Sequence, residues 1–268
     1  MYSILDVFFK LIRFGLVTEE CVDFPELSDS EWNQVFDLAE RHVLEGVLLD
    51  GISKLPTEKR PKGERLKKLV VRCLVAEKIN TKLNEKVIKV ANFFKRHGFH
   101  PILLKGQGVA TWYPNPMRRM PGDIDMWLAD DKKQIIKFVR GLRPEAEVLY
   151  HHIHLIENDG LEVEVHMIPS FLYNPFANMR LEKLWKVWGR QPMEVELVSA
   201  QAKVAIPSDE MNRVYMLLHM YRHLFTEGIG LRQVVDYFLL LKKCCTESER
   251  QETVALLNGL TLLDFVEL

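Results

Sequence analysis

The sequence predicts an α+β fold in which a small mixed sheet lies between two helical regions. Apolar residues recur at helical spacing through residues 64–97, short apolar runs typical of strands begin after residue 98, and helical spacing returns from residue 208. We therefore divide the chain into an N-terminal helical region of residues 1–97, a core of residues 98–200 and a C-terminal helical region of residues 201–268.

The composition is that of a globular protein with one or two domains. Of the 268 residues, 47% are hydrophobic and 27% are charged, and the net charge is -1. These values exclude disordered and low-complexity classes. Near-neutral charge also argues against a protein that coats nucleic acid or anionic membrane through bulk electrostatics, although it leaves room for a local basic patch.

No targeting or membrane segment is predicted, because no apolar stretch reaches 18 residues. Asp6, Lys10 and Arg13 interrupt the apolar N-terminus, which favours an amphipathic helix over a signal peptide. The cysteines show no Cys-x-x-Cys spacing, so we expect free thiols, a reducing cytoplasmic location and no membrane partner. They are Cys21, Cys73, Cys244 and Cys245.

In the N-terminal region, Ser28 and Glu31 have the spacing of a capping box at the start of a helix. A long helix is predicted over residues 64–97, and Gly98 is a typical stop after it.

The core is predicted to alternate strands with short helices, and the C-terminal region to be helical. Strands are expected at residues 102–104, 123–128, 148–157 and 161–167, with a turn at 158–160, and helices at 109–113 and 131–140. Further helices are expected at 208–225, 231–243 and 247–268. The last one stops on an apolar face, which fits a truncated chain as well as a natural C-terminus.

Two aspartates on a predicted strand form the first candidate site. Asp123 and Asp125 are two residues apart, so both side chains lie on the same face of the strand. Adjacent carboxylates repel each other unless a cation lies between them, and oxygen ligands suit Mg²⁺. The alternative is a pair of solvated aspartates near a turn.

A turn and a later strand add to this pattern. Residues 105–108, Lys-Gly-Gln-Gly, follow a strand and precede a helix, which is an arrangement that binds phosphate or an ordinary strand-to-helix turn. Glu162, Glu164 and His166 alternate with apolar residues, so they share one face of a strand or simply form its exposed side.

Together these motifs resemble the nucleotidyltransferase superfamily with a DNA polymerase β-like core. The similarity runs through LLKGQGVATWYPNPMRRMPGDIDMWL, and it is closest to the uncharacterised bacterial nucleotidyltransferase family over about residues 98–240. The matching motifs are Lys105-Gly106, Arg118 or Arg119 before Asp123 and Asp125, Glu164-Val165-His166, and His223 followed by Gly230-Leu231-Arg232 and Asp236. Gln107 stands where the superfamily prefers Gly or Ser.

The resemblance implies a Mg²⁺-dependent enzyme that moves a nucleoside monophosphate from an NTP to a hydroxyl through two metal ions, with Mn²⁺ as a substitute. The implied catalytic and metal residues are Asp123, Asp125 and Glu164, with Glu162 as a competing third acid. The implied nucleotide-binding residues are Lys105, Gly106, Gln107, Gly108, Arg118 and Arg119. Candidate residues on the acceptor side are His152, His154, His166, His223 and Arg232.

Several alternatives stay open at this point. The acceptor is a small molecule, a tRNA or a protein, the last two as in a toxin-like enzyme, and a non-catalytic nucleotide-binding scaffold is the rival outside enzymes. His219 and His223 have helical spacing that fits packing better than metal binding. Arg232 and Asp236 are expected to form an ion pair along one helix.

Overall fold

A computed structural model describes residues 2–17, 24–156, 162–226, 228–243 and 245–267. It confirms the predicted α+β class: along the chain, helices precede and follow the strands of a small mixed sheet. The predicted turn at 158–160 lies outside the described residues, as do Cys21 and Cys244. The domain boundaries stay a prediction.

The described part of the N-terminal region includes the α-helices α1 (Ile4–Leu16), α2 (Asp29–Arg41), α3 (Glu45–Ser53) and α4 (Glu64–Arg96). The predicted capping box begins α2: the backbone N–H of Ser28 donates to Oε2 of Glu31 over 2.8 Å, and Oγ of Ser28 accepts from the N–H of Glu31. α4 ends one residue before the predicted bound. Its buried positions recur every three or four residues. Leu69 and Cys73 pack with the N-terminal helices, whereas those from Leu83 to Phe94 include the ones that pack with the sheet.

The central sheet has four strands, β1 (Pro101–Leu104), β2 (Ile124–Leu128), β3 (His152–Ile156) and β4 (Glu162–His166). Their spatial order is β1-β2-β4-β3, with β2 and β4 parallel and the other two pairs antiparallel. The strands predicted at 102–104, 123–128 and 161–167 therefore lie in one mixed sheet, as expected. All residues of β1 and β2 are buried, which explains the continuous apolar run of β1 and makes Asp125 a buried charge within β2.

Two short helices connect these strands. α5 (Gly106–Ala110) begins three residues before the predicted helix, directly after β1, and α6 (Lys132–Leu142) is capped by Asp131. The capping carboxylate accepts from the N–H groups of Lys133 and Gln134.

Three elements were not predicted from the sequence. Helix α7 (Pro175–Trp188) follows β4, and a separate hairpin of β5 (Met193–Leu197) and β6 (Ala202–Ile206) precedes the C-terminal helices. The hairpin packs closely on α5, because a Cβ on Gly108 would lie 2.9 Å from the side chain of Ile206. β6 thus supports the turn after β1.

The C-terminal region, predicted to be helical from residue 201, begins with strand β6 and continues with α8 (Asp209–Leu224), α9 (Leu231–Lys243), α10 (Glu247–Gly259) and α11 (Leu263–Val266). The first two of these helices match the predicted helices, whereas the third predicted helix ends at Gly259 and a short separate helix follows. α8 is buried along most of its length, and its inner face lies against the cleft described below.

The apolar core has two parts. One joins α1–α3 to α7–α10, and the other fills the space between α4, the central sheet, α6 and the hairpin. Among the described residues, no helix is long and apolar enough to cross a membrane. Cys73 and Cys245 are free thiols, and burial raises the pKa of Cys73 to about 12.

Candidate active site

One face of the central sheet brings together acidic and histidine side chains from three adjacent strands. In the parallel pair, Asp125 on β2 is the register partner of Glu164 on β4. In the antiparallel pair, His154 lies opposite Glu164 and His152 lies opposite His166. Because side chains alternate along each strand, these five residues share a face.

Asp125 is buried, with 3% of its surface exposed, and contacts two nitrogen groups. Its Oδ1 lies 3.1 Å from Nζ of Lys105 and 3.0 Å from Nε2 of His166. Burial acts to raise the pKa of this carboxyl group, but the Lys105 charge and the His166 hydrogen bond outweigh it and hold the pKa well below its ordinary value. Asp125 therefore stays ionised inside the fold.

His166 lies between the two carboxylates. Its Nε2 is 3.0 Å from Oδ1 of Asp125 and 3.3 Å from Oε2 of Glu164. Burial acts to lower the pKa of this imidazole, but the hydrogen bonds to Asp125 and Glu164 prevail and raise it. The hydrogen bond from His166 in turn lowers the pKa of Glu164 against the effect of burial.

A chain of histidines leads from Glu164 to Arg222 on α8. Nη1 of Arg222 lies 3.1 Å from Nε2 of His151, and that nitrogen lies 2.9 Å from Nδ1 of His152. Nε2 of His152 then lies 3.0 Å from Nε2 of His154. Burial lowers the pKa of His152 to about 4, so its imidazole is neutral near pH 7.

A cleft that is open to solvent lies beside this cluster. It is bounded by the turn after β1, the start of β2 and helices α8 and α9. Its charged lining is balanced, with three cationic side chains and three aspartates. They are Lys105, Arg119 and Arg232, and Asp123, Asp125 and Asp236.

The structure brings two of the three predicted metal-binding acids into direct proximity. Asp125, Glu164 and His166 each offer a ligand atom within 4.8 Å of the others. Asp123 is exposed, directly precedes β2 and lines the same cleft, but it is not part of that group. The side chain of Glu162, the competing acid, lies outside the described part of the molecule.

The residues that come together fit a divalent cation. Two carboxylates offer hard oxygen ligands, and Nε2 of His166 lies between them, where it can donate its proton or share a cation with them. Within the described part of the chain, Nδ1 of His166 is buried without a hydrogen-bond partner. The donor set of Asp125 and Glu164, with Asp123 nearby, therefore suits Mg²⁺ or Mn²⁺.

The predicted phosphate-binding turn divides between the cleft and the core. Lys105 and Gly106 line the cleft, and both have left-handed backbone angles, with φ of 48° and 51°. A Cβ on Gly106 would lie 3.3 Å from the carbonyl oxygen of Asp123, so glycine permits a close approach here.

Gln107 and Gly108 face away from the cleft. The Gln107 side chain is buried, and its Nε2 donates to Oδ1 of Asn84 on α4 over 2.7 Å. Gly108 packs against Ile206 of the hairpin. These two predicted nucleotide-binding residues thus hold the turn against its neighbours.

The two predicted arginines also diverge. Arg118 points to the N-terminal helices, where its guanidinium pairs with Asp50 at 2.5 Å and Glu77 at 2.8 Å. Arg119 is buried at the cleft and donates through Nε and Nη2 to the two oxygens of Asp236, over 2.9 and 2.7 Å. Only Arg119 lines the cleft.

The ion pair expected between Arg232 and Asp236 is replaced by the pair between Arg119 and Asp236. Asp236 receives Arg119 and the hydroxyl of Tyr113, whose oxygen is 2.6 Å away, while Nη1 of Arg232 donates to the carbonyls of Met120 and Pro121 over 3.3 and 3.5 Å. Helical spacing placed Arg232 and Asp236 on one face, but the loop before β2 supplied nearer partners.

His219 and His223 line the cleft from α8, and their ring centroids lie 4.2 Å apart. Burial lowers the pKa of His219 well below its ordinary value, so this ring is neutral. The metal-binding groupings found among the described residues do not include the pair.

Sequence reasoning missed Tyr113 and Arg222. No motif in the sequence near Tyr113 predicts its contact with Asp236, which lies 123 residues further along the chain. Arg222 lies three residues after His219 on the predicted helix, and that spacing could have placed it near the same face.

Comparisons with known proteins point to one family. Residues 28–268 match the family described as uncharacterised nucleotidyltransferase. No curated protein matches the chain.

Two solved structures resemble parts of the chain. One is an antigenic nucleotidyltransferase-like protein from Paracoccidioides brasiliensis, with 13% identity over 70% of this chain and 92% of that one, and a TM-score of 0.37. The other is a lincosamide antibiotic adenylyltransferase bound to lincomycin, with 17% identity over 60% of this chain and 98% of that one, and a TM-score of 0.38.

Proposed function

Because the chain belongs to the uncharacterised nucleotidyltransferase family, we propose that it moves a nucleoside monophosphate from an NTP to a hydroxyl group with the help of Mg²⁺. One observation carries this proposal: Asp125 and Glu164 are register partners on parallel strands beside a cleft that also contains Asp123, Lys105 and Gly106. Acids on adjacent strands next to a glycine turn are what metal-dependent phosphoryl chemistry requires.

The acids are the residues that would hold the metal ions. Asp125 would bind from β2, Asp123 from the residue before it and Glu164 from β4, and Nε2 of His166 would orient Asp125 and Glu164. When bound, two divalent ions would neutralise phosphate charge and lower the pKa of the acceptor hydroxyl.

The balanced charge of the cleft supports a metal requirement. Three cations and three aspartates line it, and Arg119 is already paired with Asp236. A polyanionic triphosphate would therefore meet little net positive charge from the side chains alone. Lys105, whose Nζ contacts Asp125, is the cation best placed to bind the phosphates if a metal ion takes its place at Asp125.

Arg232 would act as a positioning residue. Its donation to the carbonyls of Met120 and Pro121 ties α9 to the loop that leads into Asp123. The buried Arg119–Asp236 pair supports the same loop. Together these contacts would hold Asp123 at the edge of the cleft.

The proposal leaves the acceptor open between a small molecule, a tRNA and a protein. A mass-spectrometric screen with the four NTPs and pools of tRNA, sugars and aminoglycosides tests it, with Mg²⁺ present and then chelated. Attack of the hydroxyl on the α-phosphate releases pyrophosphate, so we expect a mass increase equal to one nucleoside monophosphate less one water, seen only with metal.

Asp125→Asn is the loss variant in this screen, and Asp264→Asn, an exposed aspartate on α11, is the matched control. Transfer that persists in Asp125→Asn would contradict the assignment of the site. Nucleotide binding without transfer to any pool would favour the non-catalytic scaffold.

A further inference from the structure

We propose that His152, His154 and Glu164 form a second metal site, selective for a zinc-class transition-metal ion, next to the carboxylate site and sharing Glu164 with it. This site does not depend on the proposed nucleotidyl transfer. It rests on the two histidines of β3, which the carboxylate mechanism does not use, together with Glu164 of β4, which both sites would share.

Strand register places the three ligands together. His154 lies directly opposite Glu164 on the antiparallel partner strand, and His152 is two residues away on the same face. Directly opposed residues have Cβ atoms about 4.5–5.5 Å apart, which is close enough for their side chains to share one ion. The sequence His-Ile-His across from Glu-Val-His therefore builds a compact set of nitrogen and oxygen donors.

The side chains of His152, His154 and Glu164 lie close enough to share one ion after rotation. Nε2 of His152 lies 3.0 Å from Nε2 of His154 and 3.8 Å from Oε1 of Glu164, and Nδ1 of His154 lies 3.7 Å from that oxygen. Ligands about 2.0–2.1 Å from a tetrahedral zinc ion are separated from one another by roughly 3.3–3.4 Å. An imidazole gives only one of its nitrogens to an ion, and with one ligand atom taken from each residue the three atoms lie within 4.8 Å of one another. A single ion therefore requires side-chain rotations that bring these atoms closer together.

Arg222 fixes which nitrogen of His152 is available. The guanidinium donates to Nε2 of His151, so that nitrogen is an acceptor, and the nearby Nδ1 of His152 then carries the proton and donates to it. Nε2 of His152 is left with a lone pair directed at His154 and Glu164. Outer partners of this kind set the tautomer of histidines that bind metals.

A metal ion can replace the proton between these groups. The lone pair of His152 and the Glu164 carboxylate face the ring of His154, and the 3.0 Å contact between the two Nε2 atoms is bridged either by the His154 proton or by a metal ion. Two imidazoles and one carboxylate suit zinc and related ions better than Mg²⁺. Three protein ligands also leave a fourth position open.

A neighbouring histidine group is a weaker candidate. His151, His152 and His166 also lie within ligand distance of one another. However, Arg222 already donates to Nε2 of His151, and a positive charge at that nitrogen opposes a metal ion. The shared carboxylate of Glu164 makes the chosen site the more favourable one.

Direct metal binding to the full chain tests the site. The purified protein is stripped with a chelator and titrated with Co²⁺ and Zn²⁺, with calorimetry for affinity and visible absorption for the tetrahedral cobalt spectrum. We expect wild-type protein to bind at micromolar concentrations and to show that spectrum. Absence of binding would overturn the proposal, and a proton on His154 would then explain the contact.

Variants locate the ion. His154→Ala should weaken binding by at least about 100-fold, because loss of even an outer partner costs about 10–100-fold. His97→Ala, which removes an exposed histidine at the end of α4, and Asp123→Asn should retain the affinity and the spectrum. Melting curves with His154→Gln as a second variant separate ligand loss from unfolding. Full binding in both His154 variants would overturn the site, as would loss confined to Asp123→Asn.

Discussion

The acids of the strands and the arginines of the loop before β2 show two ways in which polar residues are positioned. Asp125 and Glu164 become neighbours through the register of a parallel strand pair. Arg118 and Arg119 are adjacent in the loop, yet one pairs with Asp50 and Glu77 in the N-terminal helices and the other with Asp236 on α9.

The difference follows from the backbone. A strand has a fixed period of two, so the face of each side chain is set as soon as the strand is recognised. A loop has no such period, and its side chains take the nearest partner that the fold provides. The charged side chains of Asp125 and Glu164 on the strands therefore lie beside the cleft, whereas the two loop arginines form ion pairs with helices.

Asp125→Asn should produce the largest effect on the strand side of this comparison. Transfer should fall by at least about 1,000-fold, equal to about 4 kcal/mol in the barrier, because a metal ligand is lost. The stabilisation of the fold by Mn²⁺ should disappear as well. Activity assays and melting temperatures with and without Mn²⁺ measure both.

In the metal-free protein, Asp125→Asn also shows which effect on stability is larger: repulsion between Asp123 and Asp125, or attraction of Asp125 to Lys105 and His166. From the sequence alone, two adjacent aspartates repel, and their neutralisation is expected to leave stability unchanged or raised. In the structure Asp125 contacts Lys105 and His166, so removal of its charge should instead cost about 3 kcal/mol. A metal-free melting temperature that rises would show that repulsion dominates, and an unchanged Mn²⁺ response would place the metal elsewhere.

The adjacent arginines provide the next test. Arg119→Ala breaks a buried two-point pair with Asp236 and should lower the free energy of unfolding by about 3–5 kcal/mol. Arg118→Ala removes a partly exposed pair and should cost only about 1 kcal/mol. Urea unfolding compares the two, and equal losses would contradict the different roles assigned to them.

A substitution at Gly106 tests whether the close approach of this residue to the backbone of Asp123 is needed at the cleft. Its φ of 51° is unfavourable for other residues, and an added Cβ would lie 3.3 Å from the backbone of Asp123. Gly106→Ala should cost about 1–2 kcal/mol of stability and weaken NTP binding. Calorimetry with each NTP provides the measurement, and normal binding in the folded variant would show that phosphates lie elsewhere.

Gln107 should give the smallest effect on binding. Its side chain donates to Asn84 in the core, so Gln107→Met should cost about 1 kcal/mol of stability and change NTP affinity by less than about 2-fold. A larger affinity loss without unfolding would indicate that this side chain reaches the nucleotide.

The sequence predicted most of what depends on periodicity. The strands at β1, β2 and β4, helices α4, α8 and α9, and the neighbouring positions of Asp125 and Glu164 all follow from alternation or helical spacing and from the family resemblance. The hairpin β5–β6 and α7 were not predicted, although the hairpin supports the turn at Gly108.

The partners of loop residues could not be predicted in the same way. Asp236 was expected to pair with Arg232 because helical spacing favours that contact, but Arg119 and Tyr113 reach it from over 100 residues away. Such choices depend on how separate elements pack, and local spacing carries no information about them.

Metal-dependent NTP binding by Glu164→Gln tests the central claim most directly, with Glu194→Gln, which changes an exposed glutamate of β5, as the matched control. Calorimetry with Mn²⁺ and each of the four NTPs gives the affinities of the wild-type and both variants. The account predicts tight binding only with metal, a loss of at least about 10-fold in Glu164→Gln and no change in Glu194→Gln. Equal affinity in wild-type protein and Glu164→Gln, or binding that needs no metal, would contradict it.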